Sequence, residues 1–134
     1  MVKKNELYKC NVCGNIVEIV NEGFGELVCC SVPMTKIEAK VHEEEFGEKH
    51  IPVITKDENG NFVVKVGSVE HPMTEEHHIS FIEAISTDKQ YLTRKYLEAG
   101  EKPEIKLECK CSHLVARAYC NIHGLWESLL HKEK

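Results

Sequence analysis

The chain has 134 residues, 42% of them hydrophobic and 29% charged, with a formal net charge of −5. That length suits one ordinary domain, or a small domain beside a mid-sized one, of globular composition. Mild acidity without a Lys/Arg stripe excludes general nucleic-acid binding, and no apolar run approaches the ~20 residues of a membrane span.

The opening "MVKKNELYKC" carries basic residues but no apolar core or small-residue cleavage site, so the expected location is the cytoplasm. Seven cysteines (10, 13, 29, 30, 109, 111 and 120) are an odd number for a chain with no export signal. Metal binding is then a better explanation than a disulfide framework, and eight histidines strengthen it.

Residues 1–36 are short, turn-rich and punctuated by glycine. "NIVEIV" alternates as a strand does, "NEGFGE" reads as a turn, and "ELVCCSV" as a returning strand. Fewer than about 40 residues cannot bury a self-sufficient core, so this unit needs a metal or a partner. "CNVC" sets Cys10 and Cys13 across one tight turn, and the adjacent pair Cys29 and Cys30 follows after fifteen intervening residues. A disulfide between neighbours would strain the peptide joining them. Four thiolates around one cation make the tetrahedral arrangement that suits zinc or iron. Neighbouring residues cannot spread their sulfurs freely, so the geometry at Cys29 and Cys30 is expected to depart from an ideal tetrahedron.

Residues 37–44 are polar and charged and read as a linker. From 45 to 134 the pattern becomes repeated β runs: "HIPVI", "FVVKVGSV", "HHISFIEAIS", "KQYLTRKYL", "EIKLECKCS" and "LVARAYCNI". Turn signals such as "DENGN", "STDK" and "EAGEKPE" separate them. Six or seven short strands at this spacing predict a mainly β chain ending in an antiparallel β-sandwich. "HISFIEAI" is apolar on both faces, as a central strand is. The final "ESLLHKEK" reads as a short solvated tail.

Histidines stand at the turn junctions of this second part. His50 lies in "GEKHIPV", His71 and His77 in "VEHPMTEEHHI", and Cys120 and His123 in "YCNIHGLW". Beside proline and glycine, at strand ends, such residues are placed for ligation rather than for core packing. Strand alternation sends His77 and His78 to opposite faces, so only one of them should reach a common metal.

With the C-x2-C turn and the Cys-Cys pair ahead of them, "EKHIP", "HPMTEEH" and "YCNIHGLW" resemble desulfoferrodoxin, the two-iron form of superoxide reductase. The resemblance covers nearly the whole chain. It implies a small desulforedoxin-like domain holding one iron through Cys10, Cys13, Cys29 and Cys30. It implies next an immunoglobulin-like sandwich with a second iron held by His50, His71, His77 and His123 in a plane and by Cys120 on the axis. The implied reaction is superoxide plus one electron plus two protons giving hydrogen peroxide, without release of oxygen. Glu48 and Lys49 occupy the family's "EKH" position. Lys49 would supply local positive charge for an anion and order a water for proton delivery, and Glu48 would close onto the oxidised iron. The family also implies a rubredoxin-like electron donor and a homodimer.

Two other classes compete. An iron electron carrier would explain the four-sulfur centre but not a metal with a free position. A structural-zinc interaction module would explain the first domain but not the histidine set. "CKCSH", with Cys109, Cys111 and His113, has no counterpart in the family and reads as strand packing, a third metal site being the alternative. His42 and His131 read as linker and tail residues.

Overall fold

The computed structural model describes residues 2–41, 50–67, 71–107, 113–128 and 131–132. Glu48, Lys49, His42, Cys109 and Cys111 lie outside the described residues. The chain divides into two compact units, Met1–Glu38 and Ala39–Lys134. Within the stretch read as a linker, Ile37 N–H donates to Leu7 C=O in the first unit. Lys40 pairs in parallel with Trp126 in the second.

The first unit is built from five very short strands: β1 (Leu7–Lys9), β2 (Ile16–Glu18), β3 (Val28–Cys29), β4 (Val32–Pro33) and β5 (Thr35–Lys36). β1 is central, antiparallel to β2 on one side and to β5 on the other. Its hydrophobic burial is slight: among the described residues it is limited to Leu7, Cys10 and Ile19.

"ELVCCSV" is not the continuous returning strand that its composition suggests. It folds on itself as a β3–β4 hairpin pairing Val28 with Pro33 and Cys29 with Val32. The two loop residues, Cys30 (φ 54°) and Ser31 (φ 62°), are both left-handed. Positive φ at both central positions is the turn whose twist matches antiparallel strands, usually supplied by Asn-Gly. Here Cys-Ser occupies it.

The second unit carries two antiparallel sheets. β10 (Glu104–Leu107), β7 (Phe62–Val66) and β6 (Pro52–Lys56) form one. The other runs β12 (Gly124–Glu127), β11 (His113–Cys120), β8 (Ile79–Ser86), β9 (Leu92–Tyr96), with β13 (His131–Lys132) also on β11. β8 is central, as its two-faced apolar run predicts. The described residues are mainly β.

Alternation along these strands builds the core. Phe62, Val64 and Val66 of β7 and Ile105 and Leu107 of β10 meet Ile82 and Ala84 of β8 and Leu114, Ala116, Ala118 and Cys120 of β11. Each large side chain buried there contributes about 1.5–3 kcal/mol relative to exposure. Every second residue of β11 from Leu114 faces this core, so strand period alone delivers the Cys120 thiol to its end.

On the opposite face of the same sheet, Glu83 is fully buried and lies directly across from Arg94 in β9 and Arg117 in β11. Arg94 Nε donates to Glu83 Oε1 at 2.7 Å, and Arg117 Nε to Oε2 at 2.9 Å. Glu127 of β12 stands opposite Arg117. Acid and base thus alternate across four strands in one row.

The C-terminal stretch differs from the solvated tail its charge suggests. Ser128 is buried and its Oγ accepts from Ala116 N–H, while His131 and Lys132 pair with Leu114 and His113. The physical reason is length. β12 pairs only with the second half of β11, from Arg117 to Cys120. The remaining edge of that eight-residue strand is satisfied by β13.

Candidate metal centres

The sulfurs of Cys10, Cys13, Cys29 and Cys30 all lie within 4.8 Å of one another. Cys13 Sγ to Cys29 Sγ is 3.6 Å and Cys29 Sγ to Cys30 Sγ is 4.0 Å. Neither is a disulfide, whose bond is about 2.05 Å. A tetrahedron of metal–sulfur bonds near ~2.3 Å has edges of about 3.8 Å, so the donor set fits one cation. The Cys29–Cys30 separation is close to that ideal edge, so adjacency in sequence has not pulled the two sulfurs together.

Local geometry explains how two neighbours contribute together. Cys29 ends β3, and the left-handed Cys30 reverses the strand alternation that would have sent its sulfur to the other face. The first half of the site is a tight turn in which Gly14 N–H donates to Cys10 C=O at 2.9 Å.

Two further amides, of Val12 and Cys13, point at Cys10 Sγ from 3.4 and 3.5 Å. The Cys13 amide contributes most in lowering the Cys10 thiol to about 6. Cys30 is pushed up to about 12, chiefly by the Cys13 sulfur beside it, and Cys29 is raised for the same reason. Four thiolates repel one another in this space, and a cation is what allows all four to ionise.

The second cluster gathers at one end of the sandwich. His50 precedes β6, His71 follows β7, His77 precedes β8, Cys120 ends β11 and His123 precedes β12. The antiparallel pairs Pro52–Val66, Ile79–Cys120 and Cys120–Gly124 bring all five loci to the same edge. Ligand atoms of His50, His71, His77 and Cys120 lie mutually within 4.8 Å.

The imidazole of His123 completes a square of rings. Neighbouring centroids lie 4.4 Å (His50–His71), 4.8 Å (His71–His77), 5.0 Å (His77–His123) and 4.9 Å (His123–His50) apart. Adjacent rings are nearly perpendicular, at 68–80°, whereas the diagonal pair His50 and His77 are 6.2 Å apart and within 26° of parallel. His50 Nε2 and His71 Nε2 approach to 2.9 Å. Two nitrogens at right angles on bonds of about 2.1 Å would be about 3.0 Å apart, so this spacing fits neighbouring ligands of one metal.

Groups behind the rings set their orientation. Pro72 C=O lies 2.6 Å from His71 Nδ1, which places the ring proton there and turns the Nε2 lone pair inward. Burial, the larger influence, lowers His71 to about 4, so the ring is neutral at physiological pH. Trp126 stacks on His50 at 5.0 Å, and its indole N–H donates to His123 C=O at 3.1 Å. Lys40 Nζ donates to the same carbonyl at 3.0 Å and sits 5.0 Å from the Trp126 ring centroid. His78 is turned elsewhere, its Nδ1 meeting Thr74 C=O at 3.0 Å.

Cys120, His50 and His71 are buried, while His77 and His123 are half-buried, so the cluster meets solvent on their side. The supports Lys40, Asn121 and Trp126 are absent from the sequence-derived candidates. Asn121 and Trp126 fall inside "YCNIHGLW", whereas Lys40 falls in the presumed linker and carries no local signal.

Comparison with known proteins decides the family. The Desulfoferrodoxin model matches residues 42–129, and the Desulfoferrodoxin, N-terminal domain model matches 2–37. The chain belongs to the desulfoferrodoxin family. It is 49% identical to a desulfoferrodoxin homolog from Archaeoglobus fulgidus over 96% of this chain and 99% of that one. Identity to a desulfoferrodoxin from Syntrophotalea carbinolica is 48%, over 96% and 98%. Among solved structures, the superoxide reductase from Treponema pallidum superposes with a TM-score of 0.70 at 26% identity, covering 95% of this chain and 98% of that one.

Proposed function

We propose that this desulfoferrodoxin-family chain is a superoxide reductase, reducing superoxide by one electron to hydrogen peroxide without oxygen release. The observation that carries the reading is the square of four imidazoles with the buried Cys120 thiol beside it. It is supported by relatives named superoxide reductase, one from Pyrococcus abyssi at 38% identity over 61% of this chain and 85% of that one.

His50, His71, His77, His123 and Cys120 hold the catalytic iron in this proposal, and Cys10, Cys13, Cys29 and Cys30 hold the other. Bound iron supplies a one-electron couple, and five protein donors leave one position for a small ligand. A thiolate ligand donates electron density to iron more strongly than imidazole does. Glu48 and Lys49 are the catalytic side chains, Lys49 attracting the substrate anion and ordering a water that delivers protons. Glu48 would supply a further carboxylate donor for the catalytic iron in its oxidised form.

The domain bounds proposed are 1–36 for the four-cysteine iron domain, 37–44 for the linker and 45–134 for the reductase domain. We also propose a cytoplasmic homodimer served by a rubredoxin-like electron donor. Val12, Val20, Phe24 and Val28 are exposed on a unit with very little core, which supports pairing through its surface. No helix among the described residues is long and apolar enough to cross a membrane.

Elemental analysis with the visible spectrum of the oxidised, natively expressed protein tests the reading. Two irons per chain and two distinct ferric–thiolate absorptions are expected. A colourless zinc protein would support an interaction module, and iron confined to the four-cysteine site would support an electron carrier. Either result overturns the proposal.

A further inference from the structure

We propose that Asn121 is a positioning residue that fixes His77 relative to Cys120 and His123. The inference rests on the reading of this cluster as a metal centre. Pairing of β11 with β8 changes register between Tyr119 and Cys120, where the ladder passes from Tyr119–Phe81 to Cys120–Ile79. Beyond that irregularity the residue adjoining the thiolate bridges to the loop that carries His77.

Three hydrogen bonds make the bridge. Asn121 Oδ1 accepts from His78 N–H at 2.9 Å, Asn121 Nδ2 donates to Glu76 C=O at 3.0 Å, and Asn121 N–H donates to His78 C=O at 3.2 Å. One side-chain bond needs an acceptor and the other a donor, which only an amide supplies with both atoms in place. The two flanks of His77 are therefore tied to the Cys120–His123 turn. His77 itself is tied within its own loop: its N–H donates to Thr74 Oγ1 at 3.1 Å, and its C=O accepts from Thr74 N–H at 2.9 Å.

Thr74 thus shapes the loop, and Asn121 sets where the loop stands against the other ligands. His77 is half-buried and belongs to no strand, so it lacks the ladder and core packing that hold Cys120. Removing the amide should leave the fold intact, because Asn121 is exposed, and should loosen one ligand specifically.

The test uses the full chain carrying two irons. The parent, Asn121→Ala and Asn121→Asp are held in excess EDTA, and remaining iron is followed by elemental analysis. The ferric absorption of each centre and a circular-dichroism melt are recorded alongside. Loss of a group that orients a metal ligand typically weakens metal binding by about 10–100-fold.

Asn121→Ala is expected to fall from two irons to one about tenfold faster than the parent. Its histidine-centre band should shift, while its melt and its four-cysteine colour should not change. Asn121→Asp, which keeps the acceptor for His78 N–H, should fall between. Equal release from the parent and Asn121→Ala overturns the proposal. So does loss of both irons together with a collapsed melt, which would make Asn121 a requirement of the fold. A parent that takes up no iron at the histidine cluster would contradict the metal-centre reading itself, and the role of Asn121 with it.

Discussion

Cys30 and Ser31 show how much local strain a metal site tolerates. Left-handed backbone costs a non-glycine residue roughly 1–2 kcal/mol, and here two stand in succession. Glycine would relieve Cys30 but would remove a sulfur. The Cys-Cys pair announces a metal site in the sequence; the turn between its two sulfurs does not, because Cys-Ser is not a turn dipeptide. The same divide separates ligands from supports. Cysteine and histidine at spaced junctions are legible because few other residue types bind soft or borderline metals. Lys40 and Pro72 act through backbone carbonyls or as one donor among many lysines, and such partners have no pattern to read.

Lys49 is the residue whose proposed role is most open to a direct test. Superoxide is an anion and the chain carries −5, so the overall field opposes encounter. In the proposed role, the Lys49 charge would offset that field locally. Lys49→Met should keep both metals and their spectra while slowing the second-order reaction with superoxide by roughly tenfold at low salt. Added salt should slow the parent by screening, and that slowing should vanish or reverse in the variant. Rapid mixing across a salt series measures both. Equal rates and equal slopes would leave Lys49 a surface residue without a part in steering.

At the scale of elements, the alternating runs of the second unit were legible because a period of two needs only side-chain polarity to be seen. β12 and β13 were not, since pairing along the free edge of β11 depends on where that strand ends. The Arg94–Glu83–Arg117 row escaped notice for a related reason. Glu83 sits inside an otherwise apolar central strand, and its partners are 11 and 34 residues away. Register alone brings them together.

Glu83 is wholly buried and Arg117 nearly so, which makes the row costly to break on one side. Glu83→Leu removes the carboxylate that Arg94 and Arg117 share and should destabilise the second unit by about 3–5 kcal/mol. Adding Arg117→Met to it should restore most of the loss, since the buried pair is then replaced by apolar groups and Arg94, which is partly exposed, can be hydrated instead. Denaturant unfolding of both variants measures this. A small loss in the single variant, or no recovery in the double, would mean that the row contributes little to holding the sheet.

At the scale of the molecule, two units are joined in one chain, one almost without a core and the other with a continuous one. The contrast was visible in length and turn density, because too few residues to bury a core must find another source of stability. Family membership extends across both units. Cys120, closing the inner row of β11, is where fold and chemistry meet: the alternation that packs Leu114, Ala116 and Ala118 also brings the thiol beside His50, His71 and His77.

The iron-loaded histidine centre is expected to reduce superoxide and not to disproportionate it. Product stoichiometry decides the matter. The iron-loaded protein is supplied with a known pulse of superoxide and excess reductant under anaerobic conditions, while peroxide and dioxygen are measured together. One peroxide per superoxide consumed, with no dioxygen above the uncatalysed background, is the expected result. One peroxide for every two superoxides, with matching dioxygen, would contradict it.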